Sequence, residues 1–559
     1  MDISNTIPSE KMISENRPLF TNRPYPPGPE RPFADPYKTE DLPEPIFLIR
    51  KHSKGLKKLL FSRAGLFVIL ILIQIGIIYL AYWVLADHLK NFATWRSLFI
   101  AAMLVHLVNN DMNSSAKLTW MFLIMIVPIP ASLLLFYQNK SIGTRTIKKA
   151  LAQNIKESRK LLRQDPMTYI QEDIGLSGTD DLLTYINHSG NYAIFGNTEV
   201  TYYPLGEYKY EAMLEELKKA KKFIYMEYFI IEEGEMWSHI LAILAEKAKE
   251  GVDVRVMYDG MCEISTLTTD YDVRMGEIGI KCKAFSPIRP FISTHYNYRD
   301  HRKILVIDGQ VAFNGGVNLA DEYINRVERF GHWKDTAIKL RGSAVTCFTL
   351  MFLTMWNATE KTPDWEAVSV PATPVDAPGF VIPYGDNPLD SYKVGESMYI
   401  DILYRARSYV HIMTPYLIMD GEIETALCYA AERGIDVRII LPGIPDKKGA
   451  YSLAKTHYKT LLQSGVKIYE YTPGFVHAKV FVSDDEKAIV GTINLDYRSL
   501  YHHFECATYM YKTSVTPQIE KDFQDTLTMC NEVTLESLGS ERVTYKVMGA
   551  AMKLVAPLM

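Results

Sequence analysis

His301-Arg302-Lys303-Ile304-Leu305-Val306-Ile307-Asp308, with Gly315-Gly316 and Asn318 just beyond it, is the stretch on which the reading of this 559-residue chain turns. Four consecutive apolar residues, Ile304 to Ile307, bounded by Asp308-Gly309, predict a strand that ends in a turn. Side chains alternate along a strand, so His301 and Lys303 are expected on one face. A group able to attack or to donate a proton then stands beside a cation. Asn314-Gly315-Gly316 offers backbone that an anion can approach closely. Met alone, a His-x-Lys pair on a strand is ordinarily a surface pair.

The chain repeats the pattern. His477-Ala478-Lys479, Asp484, Gly491-Thr492 and Asn494 keep the same offsets from the histidine as Lys303, Asp308, Gly315-Gly316 and Asn318. Packing would preserve apolar positions between two copies, but it has no reason to preserve a histidine, a lysine and an asparagine. The surroundings repeat as well. Strand-like 223–231, helix-like 236–249 and strand-like 252–258 are replayed by 409–419, 423–433 and 435–441, and Gly251-Val252-Asp253-Val254-Arg255-Val256 nearly coincides with Gly434-Ile435-Asp436-Val437-Arg438-Ile439. The fold class expected is α/β, with two tandem domains (165–360 and 379–540) related by a pseudo-twofold axis. They are joined by the proline-bearing linker 361–378.

Across such an axis the two copies would supply two imidazoles, two ammonium groups and two amides to one centre. That donor set suits a phosphate or phosphodiester without calling on a metal. One imidazole attacks phosphorus and the other protonates the departing alkoxide, then serves as base for the next alcohol. Each imidazole needs a partner to fix its tautomer. Glu505 is the candidate for His477 and Asp335 the candidate for His301. Asp308 and Asp484 lie at strand ends, off the His/Lys face, and are expected to shape turns.

The amino-terminal part is of another kind. Residues 1–60 begin with a proline-rich stretch lacking apolar period and read as a disordered tail. Residues 61–140 read as a transmembrane region, with uncharged runs at 64–86 and 118–137 long enough to cross a bilayer. Lysines and arginines crowd both flanks, so both flanks are expected in the cytoplasm, with 98–108 not crossing. Residues 541–559 form a weakly amphipathic helix, either a cap on the core or a membrane-surface contact. Lys+Arg 61 against Asp+Glu 65 leaves a formal charge of -4, with no clustered basic groove, which argues against nucleic acid as a partner. Six scattered cysteines (Cys262, Cys282, Cys347, Cys428, Cys506, Cys530) without a C-x-x-C pair argue against a structural zinc site or disulfide framework.

Paired H-x-K-x4-D-x6-G-[GST] motifs resemble the phospholipase D superfamily. Within it, Ser115-Ala116-Lys117-Leu118-Thr119-Trp120, Asn297-Tyr298-Arg299-Asp300-His301-Arg302-Lys303 and the terminal Ala556-Pro557-Leu558 are similar to bacterial cardiolipin synthases. The resemblance implies a multi-pass enzyme of the bacterial plasma membrane with cytoplasmic catalytic domains. It would join two phosphatidylglycerol molecules into cardiolipin, releasing glycerol, through a phosphatidyl-histidine intermediate and with no nucleotide, metal or other cofactor. It also implies His301 as nucleophile and His477 as acid, and it adds Asp308 and Asp484 to the catalytic set beside Lys303 and Lys479. Gly315, Gly316, Gly491, Thr492, Asn318, Asn494, Asp335 and Glu505 then bind phosphate or orient the histidines. Other membrane phospholipids and a second copy of the chain are further candidate partners. Water as acceptor would make a phospholipase D, and another alcohol a different phospholipid synthase. A membrane-tethered nuclease and a non-catalytic lipid scaffold are the remaining readings.

Overall fold

A computed structural model of the chain describes residues 43–49, 76, 79–80, 83–84, 92–139, 145–162, 179–190, 192–287, 298–554 and 556–558. Its first half is built on β1 (Thr198–Tyr203), β2 (Phe223–Tyr228), β3 (Asp253–Asp259), β4 (Lys281–Phe285), β5 (Arg299–Asp300), β6 (Lys303–Ile307), β7 (Val311–Gly315), β8 (His332–Lys334) and β9 (Ala337–Gly342). The second half follows with β10 (Phe380–Asp386), β11 (Tyr409–Met413), β12 (Leu417–Ile418), β13 (Asp436–Pro442), β14 (Lys467–Tyr471), β15 (Gly474–Val476), β16 (Val480–Ser483), β17 (Lys487–Gly491), β18 (Leu495–Asp496), β19 (His503–Tyr511) and β20 (Cys530–Val533). The order β1-β9-β7-β6-β2-β3-β4 in one sheet is matched by β10-β19-β17-β16-β11-β13-β14 in the other, with β20 added at the edge. In each half three strands run parallel through helical crossovers, and the motif strand joins them antiparallel.

Alternation along the motif strands sets the layers. Leu305 and Ile307 of β6 enter the outer core of the first half, and Phe481 of β16 enters that of the second. Ile304, Val306, Val480 and Val482 point the other way, into a core shared by both sheets and completed by the helices Val345–Trp356 and Thr516–Leu527. With both faces covered, β2 reads Phe-Ile-Tyr-Met-Glu-Tyr and is buried throughout.

The helix Thr179–Gly190 lies within the range expected for the first domain, yet Leu182 and Ile186 pack in the outer core of the second half. The boundary at 165 is therefore drawn too early. In the tail, 43–49 is extended and docked: the Leu48 and Ile49 N–H groups donate to Glu233 at 2.8 and 3.0 Å, and Arg274 donates to the Leu48 carbonyl at 2.6 Å. The rest of 1–60 lies outside the described residues.

The run 118–137 is not one helix. It is divided at Val127 between Ser114–Ile126 and Pro128–Asn139, because Pro128 lacks an N–H to continue the first helix and suits the first turn of the second. Residues 98–108 belong to the helix Phe92–Val108. Among the described residues no helix is long and apolar enough to cross a membrane, and the expected span 64–86 lies almost wholly outside them. The three helices pack through Met103, Leu107, Trp120, Ile124, Ala131 and Leu135, and leave Trp95, Leu98, Val105, Leu118, Met125 and Leu134 exposed. Asn113 ties the group to the second half by donating to the Tyr501 hydroxyl at 3.0 Å. The helix Val543–Lys553 buries Gly549 against the Ser452 carbonyl, while Val543 and Val547 stay exposed. It caps the fold on one face and shows an apolar edge on the other.

Candidate active site

The histidines sit where the chain passes between sheets, not within the motif strands as their spacing suggested. β5 runs parallel to the start of β19, with Arg299 opposite His503 and Asp300 opposite Phe504. The His301 N–H then donates to the Phe504 carbonyl at 2.9 Å, and the chain joins β2 only from Lys303 onward. The second half repeats the device with β15 parallel to β8, and the His477 N–H donates to the Lys334 carbonyl at 2.7 Å. Each histidine is thus positioned by a ladder made with the opposite half.

The carboxylates follow the same crossing. His301 Nδ1 lies 2.9 Å from both oxygens of Glu505, and His477 Nδ1 lies 2.7 Å from Asp335 Oδ2. The expected pairing of Glu505 with His477 and Asp335 with His301 is therefore reversed. Counting along the sequence from the histidines places Glu505 opposite Arg329, but the sheets align Gly315 with Ala337 and Gly491 with Ala507. Asp335 and Glu505, each two residues before that alanine, are equivalents, and the first half simply holds six more residues between histidine and carboxylate. The small pair serves the same purpose. A Cβ on Gly316 would come 2.1 Å from Asp335 Oδ1, so glycine makes room for the carboxylate. Thr492, at the matching position, donates from Oγ1 to Glu505 Oε2.

Lys303 Nζ donates to the His301 carbonyl at 2.6 Å, and Lys479 Nζ donates to that of His477. Burial lowers the lysine pKa values, to about 8 for Lys303 and about 7 for Lys479. Burial likewise holds His301 well below the ordinary imidazole value and brings His477 to about 4. The charges of Lys479 and His477 reinforce the shift of His301, and that of Lys303 reinforces the shift of His477, so the two copies share one electrostatic environment. Glu505, fully enclosed, is raised by burial.

Sequence comparison agrees with this duplicated geometry. The family described as cardiolipin synthase, PLD-like domain, matches residues 213–329 and 399–527, one block in each half. A cardiolipin synthase of Alkalihalophilus pseudofirmus is 32% identical over 455 residues, 80% of this chain and 90% of that relative. The chain belongs to the cardiolipin synthase family. It is an enzyme of the phospholipase D superfamily. An uncharacterized protein of Streptococcus mutans is 54% identical over 458 residues, 81% of this chain and 99% of its own length. Among solved structures, a phosphatidylserine synthase of Haemophilus influenzae superposes with a TM-score of 0.50 at 16% identity, over 65% of this chain and 95% of that one, a likeness of fold alone.

The motif aspartates of this cardiolipin synthase family member do not join the site. Asp308 accepts from the N–H groups of Lys221, Lys222 and Phe223 at 2.8, 2.7 and 2.8 Å, and Asp484 accepts from Arg407, Ser408 and Tyr409 at 2.9, 2.8 and 3.1 Å. Both have positive φ (53° and 56°), and both cap the strand beside them at the end remote from the lysine. Placing them in the catalytic set is corrected here. Asn318 accepts from the Ile230 N–H at 3.1 Å and donates to Tyr323 at 2.8 Å, which makes it a brace. Asn494 is buried and its Oδ1 has no partner. Gly315 and Gly491 let the strands close, since a Cβ would come 2.5 Å from Ala337 Cα and 2.3 Å from Ala507 Cβ.

Several site neighbours are invisible in the motif. Tyr323, Trp333 and Phe475 stand 5.4, 5.5 and 5.9 Å from the His477 ring, whereas His301 has Phe229 at 4.9 Å and His503 at 5.3 Å. Arg299 reaches Asp259 at 3.3 Å, and Arg302 donates to the Glu505 carbonyl at 3.1 Å, fixing the segment that carries His301. His301, His503 and Glu505 offer ligand atoms within 4.8 Å of one another.

Proposed function

We propose that the chain is a membrane phosphatidyltransferase that makes cardiolipin from two phosphatidylglycerol molecules and releases glycerol. The observation that carries the reading is the crossed pair of contacts, His301 with Glu505 and His477 with Asp335. Each carboxylate engages Nδ1 and leaves Nε2 for chemistry, the arrangement required of a nucleophile and of a general acid. Two lysines beside them suit the non-bridging phosphate oxygens.

In this scheme neutral His301 attacks phosphorus through Nε2, the P–O bond to glycerol breaks, and the oxygen takes the proton from His477. The hydroxyl of a second phosphatidylglycerol then gives its proton to His477 while its oxygen attacks phosphorus and the P–N bond breaks. The number of phosphodiesters is unchanged, so no nucleotide has to drive the reaction. Burial depresses both histidines. An arriving phosphodiester anion raises His477 toward the protonated form that an acid needs. The apolar surface left open on 92–139 supports a lipid-embedded position for that segment, with the α/β halves on the cytoplasmic face of a bacterial plasma membrane.

Purified protein given phosphatidylglycerol in mixed micelles should yield cardiolipin and glycerol in equal amounts. Accumulation of phosphatidic acid without cardiolipin would assign the site to a hydrolase instead. Quenching in neutral detergent with phosphate-labelled substrate should leave an adduct on the peptide carrying His301 that later acid treatment releases.

A further inference from the structure

The halves differ most beside the histidines. The register that equates Ala337 with Ala507 also equates Trp333 with His503. Trp333 is one wall of an aromatic enclosure around His477. His503 holds the same place beside His301, is only 7% exposed, and has no hydrogen-bond partner at either ring nitrogen. Its Nδ1 is 3.5 Å from Glu505 Oε1, but the oxygens of that carboxylate are engaged by His301 and Thr492. Two idle ring nitrogens in a buried site are costly, and a phenylalanine would fill the space without that penalty. Burial, helped by the charges of Arg498, His502, Lys303 and Arg299, holds the imidazole well below its ordinary value.

We propose that His503, His301 and Glu505 form a binding site for a borderline divalent cation of the zinc class, and that its occupation switches the enzyme off. Two imidazoles and one carboxylate, with ligand atoms within 4.8 Å of one another, are a donor set that zinc and cobalt accept and that magnesium and calcium disfavour. The chemistry of inhibition follows from the atoms. The Nδ1 of His301 and the Nδ1 of His503 both face Glu505. A cation bound at His301 Nδ1 displaces the proton shared with Glu505. The displaced proton moves to Nε2, so the neutral ring is held by the metal at Nδ1 and the Nε2 lone pair that would attack phosphorus is no longer available. Binding stands apart from the reaction proposed above, whereas inhibition rests on it.

The test uses untagged, chelator-stripped full-length protein titrated with Co2+ and read by its visible ligand-field absorption. A single band saturating at one equivalent is expected, displaced by Zn2+, with cardiolipin formation lost over the same Zn2+ range and restored by a chelator. His503→Phe, checked for folding by its melting temperature, should lose the band and need at least tenfold more Zn2+ for half-inhibition. His477→Ala, which leaves the three ligands in place, should keep the band although it is inactive. Absence of the band in the wild type, or its persistence in His503→Phe, overturns the proposal. Should the wild type make no cardiolipin, the reaction assignment fails while the cobalt titration still decides the metal site.

Discussion

The two halves share a frame and differ in what surrounds their histidines. Sheet order, motif lysine, capping aspartate and the bridging ladder are duplicated, while Gly316 with Asp335 is exchanged for Thr492 with Glu505 and an aromatic enclosure for Phe229 and His503. The frame can be copied because each half solves the same packing problem. The site cannot be halved, because each histidine takes its carboxylate from the other copy. Duplication therefore supplies mutual dependence, and the differences give the two histidines unlike surroundings.

The comparison breaks most severely if the two histidines are interchangeable. His301→Ala and His477→Ala should each lower transfer by about 1000-fold or more, because the first removes the proposed covalent step and the second the proposed proton transfer. Their failures should differ. His477→Ala should still form the phosphatidyl adduct with an activated donor whose leaving group needs no proton, and His301→Ala should form none. Equal adduct formation in both would erase the distinction of roles.

The crossed carboxylates give the next effect, about 100-fold. Glu505→Gln should impair attack, read as slower adduct formation, and Asp335→Asn should impair departure and resolution, read as persistence of the adduct. The uncrossed pairing would exchange these two phenotypes, so pre-steady-state labelling decides between them.

The lysines sharpen the comparison through pH. A lysine is charged below its pKa, and here the values are about 7 for Lys479 and about 8 for Lys303. Raising the pH from 7 to 9 removes charge first from the second half and then from the first, so kcat/KM should fall by about tenfold over that interval, mainly through KM. The same depression means that the unfolded chain binds the proton more tightly, so folding stability rises as pH increases from 7 toward 10. Lys479→Met should accordingly be about 1–3 kcal/mol more stable than the wild type at pH 7, read as a higher melting temperature, while losing activity.

Duplication was legible in the sequence because chemistry-bearing residues recur at fixed offsets in strands of fixed length. That legibility ended where the copies differ in length. Six additional residues between His301 and Asp335 hid the equivalence with Glu505, and only the register of Gly315 with Ala337 and Gly491 with Ala507 restores it. Nothing in local periodicity reveals that β5 pairs with β19 or β15 with β8, since a short parallel ladder between distant segments leaves no pattern in either. The break at Val127 was legible in Pro128, although the absence of charge through 118–137 outweighed it. His503 escaped notice because the repeat offers Trp333 at the matching place.

The smallest effect on chemistry belongs to the residues that the family motif marks most plainly. Asp308 and Asp484 each accept three backbone N–H groups and each adopt a left-handed backbone conformation that aspartate tolerates better than most residues. Both lie at the far end of a motif strand, about 16 Å along it from the lysine at roughly 3.3 Å per residue. Neither can touch a phosphate held between the histidines. Their substitution should therefore act on folding: Asp308→Ala or Asp484→Ala leaves three backbone donors without their acceptor and should cost about 2–4 kcal/mol. Per folded molecule kcat should change by less than about twofold, and the two variants should behave alike, because this is the feature in which the halves differ least. A fall in kcat comparable with that of Glu505→Gln, at unchanged melting temperature, would return the aspartates to the catalytic set.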